Sequence, residues 1–152
     1  MAQPGRTVVV QVTRLLQNSP ENVKVTLPDP NDMTKLDVEF VGPADTPYAG
    51  GHFHFLMTLA DGFPHKAPSV AFSTKIYHPN VEKATGEACI EILLDNCWKP
   101  TVKLTKVIQE VIDLLKNPNP AHAREEEIAA QFANDHDAFV RTAQQWTQQY
   151  AT

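Results

Sequence analysis

Apolar residues change their spacing halfway along this chain, and that change limits the folds open to it. In the first half they alternate with polar residues in three stretches, which begin near Val23, Leu36 and Phe53. A short apolar run follows at residues 70–72. A period of two places successive side chains on opposite faces of a strand, so these stretches predict four β-strands with one buried face.

The segments between the predicted strands are short and rich in proline and glycine, as at residues 28–32 and 42–51. A parallel connection needs about a dozen or more residues, usually in a helix. We therefore expect a four-stranded antiparallel meander sheet with one apolar face.

In the second half, apolar residues between 102 and 115 recur at helical spacing and predict a central core helix. The sequence Asn-Pro-Asn-Pro ends it, and Asn119 is placed to cap the next helix, which carries Ile128, with Pro120 in first position. A last helix follows, capped by Asn134 or Asp135. Helices packed on one antiparallel sheet make an α+β fold, and we expect residues 1–152 to form a single domain.

Residues 6–16 are ambiguous by themselves. Their β-branched run favours a strand by propensity, whereas apolar residues at 8, 9, 12, 15 and 16 also fit one face of a helix.

Charge and cysteine content exclude several functional classes. A net charge of −5 argues against a general nucleic-acid binder, and no apolar run is long enough to cross a membrane. Two cysteines do not suggest a disulfide framework, so we expect a reducing compartment. The pair Cys89 and Cys97 and the pair His52 and His54 match no zinc-binding spacing, so no metal is expected.

Cys89 lies between a polar loop and an apolar run. A reactive cysteine sits at the edge of an element, whereas a structural one is a small buried hydrophobe. The spacing alone leaves both readings open.

An ordered motif surrounds Cys89: Tyr-His-Pro-Asn from Tyr77, a loop, Gly-x-x-Cys-Ile-x-Ile-Leu from Gly86, and Trp-x-Pro from Trp98. This string closely resembles the ubiquitin-conjugating enzymes, over about Val23 to Tyr150. The resemblance implies a UBC-like fold that opens with a helix, which favours a helix over residues 6–16. It also implies that Cys89 carries ubiquitin, or a ubiquitin-like protein, as a thioester.

The resemblance gives roles to the residues before Cys89. Asn80 is implied both to donate to the oxyanion and to hold the loop, and both roles stay open. His78 and Pro79 are expected to shape the turn.

The acceptor is less clear. Glu91 stands where members that modify lysine commonly carry an acid, which helps deprotonate the incoming amine. His122 and Arg124 stand where those members have an acid and a small apolar residue. A substrate lysine and a ligase cysteine both remain possible acceptors, and Glu91 and His122 could instead both be solvated surface residues.

The resemblance further implies four partners: ubiquitin or a relative, an activating enzyme, a ubiquitin ligase and a protein substrate. Basic residues on the first helix dock the activating enzyme in similar proteins, but here that face is mostly valine with Arg6 and Arg14. The ligase-binding loops correspond to Phe63 and His65 and to Lys99 and Pro100.

No phosphate-binding loop occurs, so no cofactor is expected and ATP enters only through the activating enzyme. Cytoplasmic or nuclear location is expected. The alternative is a catalytically weak scaffold of the same fold that binds ubiquitin and a partner conjugating enzyme. Inactive relatives typically lack the cysteine that this chain keeps.

Overall fold

The computed structural model describes residues 5–152, so the first four residues of the predicted domain lie outside the described part. The helices and strands follow the chain in the order α1 (Arg6–Gln17), β1 (Val23–Thr26), β2 (Lys35–Val41), β3 (His52–Thr58), β4 (Ser69–Phe72), α2 (Leu104–Lys116), α3 (Glu126–Asn134) and α4 (His136–Tyr150). Single 3-10 turns occur at Glu91–Leu93 and Pro120–His122.

The four strands form one antiparallel sheet in the order β1-β2-β3-β4, which confirms the predicted meander. The register pairs buried residues with buried or half-buried ones: Val38 lies opposite Val25 on β1 and opposite Phe55 on β3. Every second residue of β2 and β3 is buried, and burying an aliphatic or aromatic side chain contributes roughly 1.5–3 kcal/mol. The buried residues of these two strands are Leu36, Val38, Phe40, Phe53, Phe55 and Met57.

The stretch that was ambiguous in sequence is the helix α1, as the resemblance implied. Val8, Val12 and Leu15 are buried, because their spacing places them on one face of the helix. Val9 and Val10 are each 38% exposed. Burial of a stripe outweighs the β-branched propensity of this segment.

The predicted central helix is α2, whose buried residues include Val107, Ile108, Val111 and Leu115. Of the two candidate caps for the last helix, Asp135 is correct: its side chain accepts a hydrogen bond from the backbone N–H of Ala138 at 3.2 Å.

The predicted start of the helix after α2 is wrong. Asn119 caps only the turn Pro120–His122, and the α-helix that carries Ile128 begins at Glu126. Between them, the backbone N–H groups of Arg124 and Glu125 both donate to the carbonyl of Pro79, at 2.8 and 3.0 Å. Those two N–H groups are therefore used to fasten the chain to the segment before Cys89.

Within residues 5–152, no helix combines the length and apolar character needed to cross a membrane. Across the same residues, no three side chains of His, Cys, Asp or Glu converge as metal ligands would. His52 and His54 lie on the outer face of the sheet, where His54 Nδ1 is 3.1 Å from a carboxylate oxygen of Asp37.

Candidate active site

A tight turn at Gly86 places the residues before Cys89 against the edge of the sheet. Gly86 has φ of +80°, and a Cβ there would lie 2.0 Å from the carbonyl oxygen of Phe72. The turn approaches this closely because the Phe72 N–H donates to the Gly86 carbonyl at 2.7 Å. Only glycine allows both the positive φ and the close approach to Phe72, so Gly86 fixes the position of the residues that lead to Cys89.

Cys89 is half-buried, and its backbone N–H donates to the carbonyl of Asn80 at 2.9 Å. Cys89 lines two grooves. Cys89 is therefore held in place by its backbone, and two grooves open beside it.

The first groove, which we call the β4 groove, has a volume of about 370 Å³. Its walls are mainly apolar and include Val70, Leu93 and Leu94, while Glu87 and Arg124 carry the opposite charges of its lining. Arg124 Nη1 lies 3.5 Å from Glu87 Oε2.

The second groove, which we call the α2 groove, has a volume of about 300 Å³. Its lining includes the carboxylates of Glu91, Glu110 and Asp113. Glu91 Oε2 accepts a hydrogen bond from Asn119 Nδ2 at 3.3 Å, and Glu110 pairs with Lys106 at 2.8 Å. This side of Cys89 is therefore acidic, whereas the β4 groove carries both signs of charge.

The Asn80 side chain is fully buried and engages the segment after α2. Its Nδ2 donates to the carbonyls of Asn119 and His122 at 2.7 and 3.0 Å. Its Oδ1 accepts from the N–H of Asn119 at 2.9 Å. Both amide protons are donated to backbone carbonyls of this segment, which leaves no free donor in this arrangement. The oxyanion role stays a prediction.

His78 is fully buried beside Asn80. Its Nδ1 accepts from the Asn80 N–H at 3.0 Å, and its Nε2 donates to the carbonyl of Leu114 at 2.8 Å. Burial lowers the pKa of His78 to about 4, although the hydrogen bond to Leu114 opposes the shift. The neutral ring therefore connects the segment before Cys89 to α2. The turn-shaping role of His78 stays a prediction.

This pKa makes stability sensitive to acid. The folded pKa of about 4 lies below the ordinary value of 6.5, so the unfolded chain binds the proton more readily. Stability from His78 is complete above about pH 6.5 and falls by about 3 kcal/mol as the pH drops to about 4. Urea unfolding at several pH values should show this loss in the wild type and not in His78→Gln. The exposed control His65→Gln should behave like the wild type, and equal pH slopes in wild type and His78→Gln would contradict the assignment.

The three residues predicted around the acceptor are placed differently from one another. Glu91 lines the α2 groove and Arg124 lines the β4 groove, so both flank Cys89. His122 lines neither groove, and its contribution is the backbone carbonyl that accepts from Asn80.

The two predicted ligase-binding loops meet. Trp98 Nε1 donates to the carbonyl of Pro64 at 2.8 Å, and the rings of Phe63 and Trp98 lie 6.3 Å apart between centroids. Phe63 is buried between the loops, whereas His65 and Lys99 are exposed, as is Pro100.

A profile of the ubiquitin-conjugating enzyme family matches residues 7–147, nearly the whole described chain. The chain belongs to the ubiquitin-conjugating enzyme family. The match spans the sheet, the turn at Gly86 and the segment that Asn80 holds, so the family assignment rests on the elements that build this site.

Individual family members agree with that assignment. The chain is 33% identical over 147 residues to ubiquitin-conjugating enzyme E2 14 of Schizosaccharomyces pombe, covering 97% of this chain and 94% of that one. It is 35% identical over 151 residues to ubiquitin-conjugating enzyme E2 N of Macaca fascicularis, covering 99% and 97%. It is 36% identical over 124 residues to ubiquitin-conjugating enzyme E2 27 of Arabidopsis thaliana, covering 82% of this chain but only 64% of that relative's length.

The sequence did not predict three charged residues that line the grooves beside Cys89: Glu87, Glu110 and Asp113. Glu110 and Asp113 stand three residues apart on α2, so helical spacing could have placed them on one face. Nothing in the sequence pairs Glu87 with Arg124, because that contact depends on how the segment after α2 is fastened to Pro79.

Proposed function

We propose that the chain is a ubiquitin-conjugating enzyme that carries ubiquitin, or a ubiquitin-like protein, as a thioester on Cys89. The observation that carries the proposal is a half-buried cysteine, held by its backbone to Asn80, where two grooves meet. A thiol is intrinsically nucleophilic even when only a few per cent is ionised, so the first step needs no dedicated base.

The first step is an exchange between two sulfurs. The Cys89 thiolate attacks the carbonyl carbon of the modifier's terminal glycine, which is bound to a cysteine of the activating enzyme. The new carbon–sulfur bond forms, the old one breaks, and the activating enzyme leaves as its thiolate. Because one thioester replaces another, the step is nearly balanced in energy.

The second step passes the acyl group to a lysine amine or to a ligase cysteine. An amine forms a carbon–nitrogen bond and loses a proton, while Cys89 leaves as thiolate. A ligase thiolate repeats the sulfur exchange. Glu91, which lines the α2 groove beside Cys89, is the proposed aid to a lysine acceptor because a nearby carboxylate can help remove that proton.

The surfaces for the protein partners lie on other parts of the chain. We propose that the joined loops carrying His65, Lys99 and Pro100 contact a ligase, since these residues are exposed together beside Trp98. The exposed residues of α1, including Arg6 and Arg14, are the proposed contact for the activating enzyme. The reduced thiol this chemistry requires suits the cytoplasm or nucleus, where we propose the protein acts.

Charging with a modifier tests the proposal. Incubation with an activating enzyme, ATP and ubiquitin should add one ubiquitin that is removed by reductant, as seen by non-reducing electrophoresis. A panel of ubiquitin-like proteins with their own activating enzymes identifies the modifier. Absence of an adduct with every modifier, together with measurable non-covalent ubiquitin binding, would instead support the scaffold alternative.

A further inference from the structure

We infer that Glu87 shifts the acceptor preference towards lysine by neutralising Arg124 at the rim of the β4 groove beside Cys89. The inference rests on the proposed function and assigns a role in the transfer step to Glu87. Its basis is the ion pair between Arg124 Nη1 and Glu87 Oε2, at 3.5 Å, within a groove that Cys89 also lines.

Both charges are carried on firmly placed backbone. Arg124 donates its N–H to the Pro79 carbonyl at 2.8 Å. Glu87 is held on both sides: it forms an isolated β-bridge with Ala71 of β4, and its carbonyl accepts from the Glu82 N–H at 2.9 Å. The pair therefore brings together two segments that are fixed independently around Cys89.

Neighbouring acids do not replace Glu87 in this pair. The carboxylate of Glu125 accepts from the backbone N–H of Lys83 at 2.9 Å, and Glu91 faces the other groove, where it accepts from Asn119. Among the described residues, Glu87 is the carboxylate in ion-pair contact with Arg124.

The consequence concerns the charge that an acceptor meets. A lysine arrives as a cation and must reach the thioester carbonyl, so an uncompensated Arg124 would repel it. A thiol acceptor reacts as an anion, which an uncompensated Arg124 would attract. With Glu87 in place the rim is close to neutral, and the enzyme can use either acceptor.

Removing one charge at a time should therefore change the rates of discharge to the two acceptors in opposite directions. In Glu87→Gln, discharge of the thioester to free lysine should slow and discharge to 2-mercaptoethanol should speed up, so the lysine-to-thiol rate ratio falls about two- to fourfold. This size is that of an exposed charge interaction, since the two side chains are 43% and 55% exposed. In Arg124→Gln the ratio should rise, and in the double variant it should return to the wild-type value.

A second measurement uses no ubiquitin. In a Cys97→Ser background, Cys89 is alkylated with iodoacetate, an anion, and with neutral iodoacetamide. Glu87→Gln should raise the iodoacetate-to-iodoacetamide rate ratio about two- to fourfold, and Arg124→Gln should lower it. At about 1 M salt, where charges are screened beyond about 3 Å, both changes should shrink.

Glu126→Gln is the matched control, because it removes the same charge from an exposed residue that lines neither groove. It should leave both ratios unchanged. Equal ratios in Glu87→Gln and the wild type, with normal charging, would overturn this inference and leave the proposed function intact. Failure of the wild type to charge, with the alkylation ratios shifting as expected, would count against the proposed function while keeping the rim-charge assignment.

Discussion

Cys89→Ser is expected to lose the reductant-labile adduct completely. A serine hydroxyl is a weaker nucleophile than a thiol, so the variant should either stay unmodified or accumulate an ester that survives reductant. The substitution exchanges one small half-buried side chain for another, so the fold should persist. Non-reducing and reducing electrophoresis of the charging reaction, run side by side, separates a thioester from an ester.

Cys97→Ser is the matched control for that result. Cys97 is also a free, half-buried cysteine, but it lies beyond the 3-10 turn Glu91–Leu93 and lines neither groove at Cys89. This variant should charge like the wild type. A thioester that survives in Cys89→Ser and disappears in Cys97→Ser would show that the acyl group travels through the other cysteine.

The sheet could be predicted from the sequence because each strand has one buried face. Shifting β2 by one residue would expose Leu36, Val38 and Phe40 together, so alternation determines the strands and which of their residues face the core. The position of Cys89 at the edge of an element could also be predicted from the sequence, since Cys89 stands at the change from a polar loop to an apolar run.

The segment after α2 could not be predicted in the same way. Its path depends on hydrogen bonds to residues about forty positions earlier, in which Asn80 holds Asn119 and Pro79 accepts from Arg124. Capping patterns depend only on residues that are neighbours in sequence. They predicted a helix that starts at Asn119, whereas the helix begins at Glu126. The ion pair between Arg124 and Glu87 depends on the same long-range hydrogen bonds, so it could not be predicted from the sequence either.

Asn80→Ala is expected to damage stability, charging and transfer together. The change leaves the carbonyl of His122 and the N–H of Asn119 without their partner, around a side chain with no exposed surface. The carbonyl of Asn119 loses one of two donors and keeps the His122 N–H, at 3.1 Å. Unsatisfied buried groups of this kind cost about 1–3 kcal/mol each before relaxation, so we expect a total loss of about 2–4 kcal/mol. For a chain of this size that lowers the melting temperature by roughly 5–15 °C.

Asn119→Ala provides the comparison, because it removes an amide whose hydrogen bonds to Ala121 and Glu91 are exposed. It leaves the backbone groups that Asn80 holds, so it should cost less than about 1 kcal/mol and preserve charging. Melting temperature, charging rate and discharge to lysine are measured on both variants. If Asn80→Ala slows only lysine discharge, by the ~100-fold or more typical of a lost oxyanion donor, the amide must leave its two carbonyls during the reaction. Loss of all three properties together would assign its effect to the loop that positions Cys89.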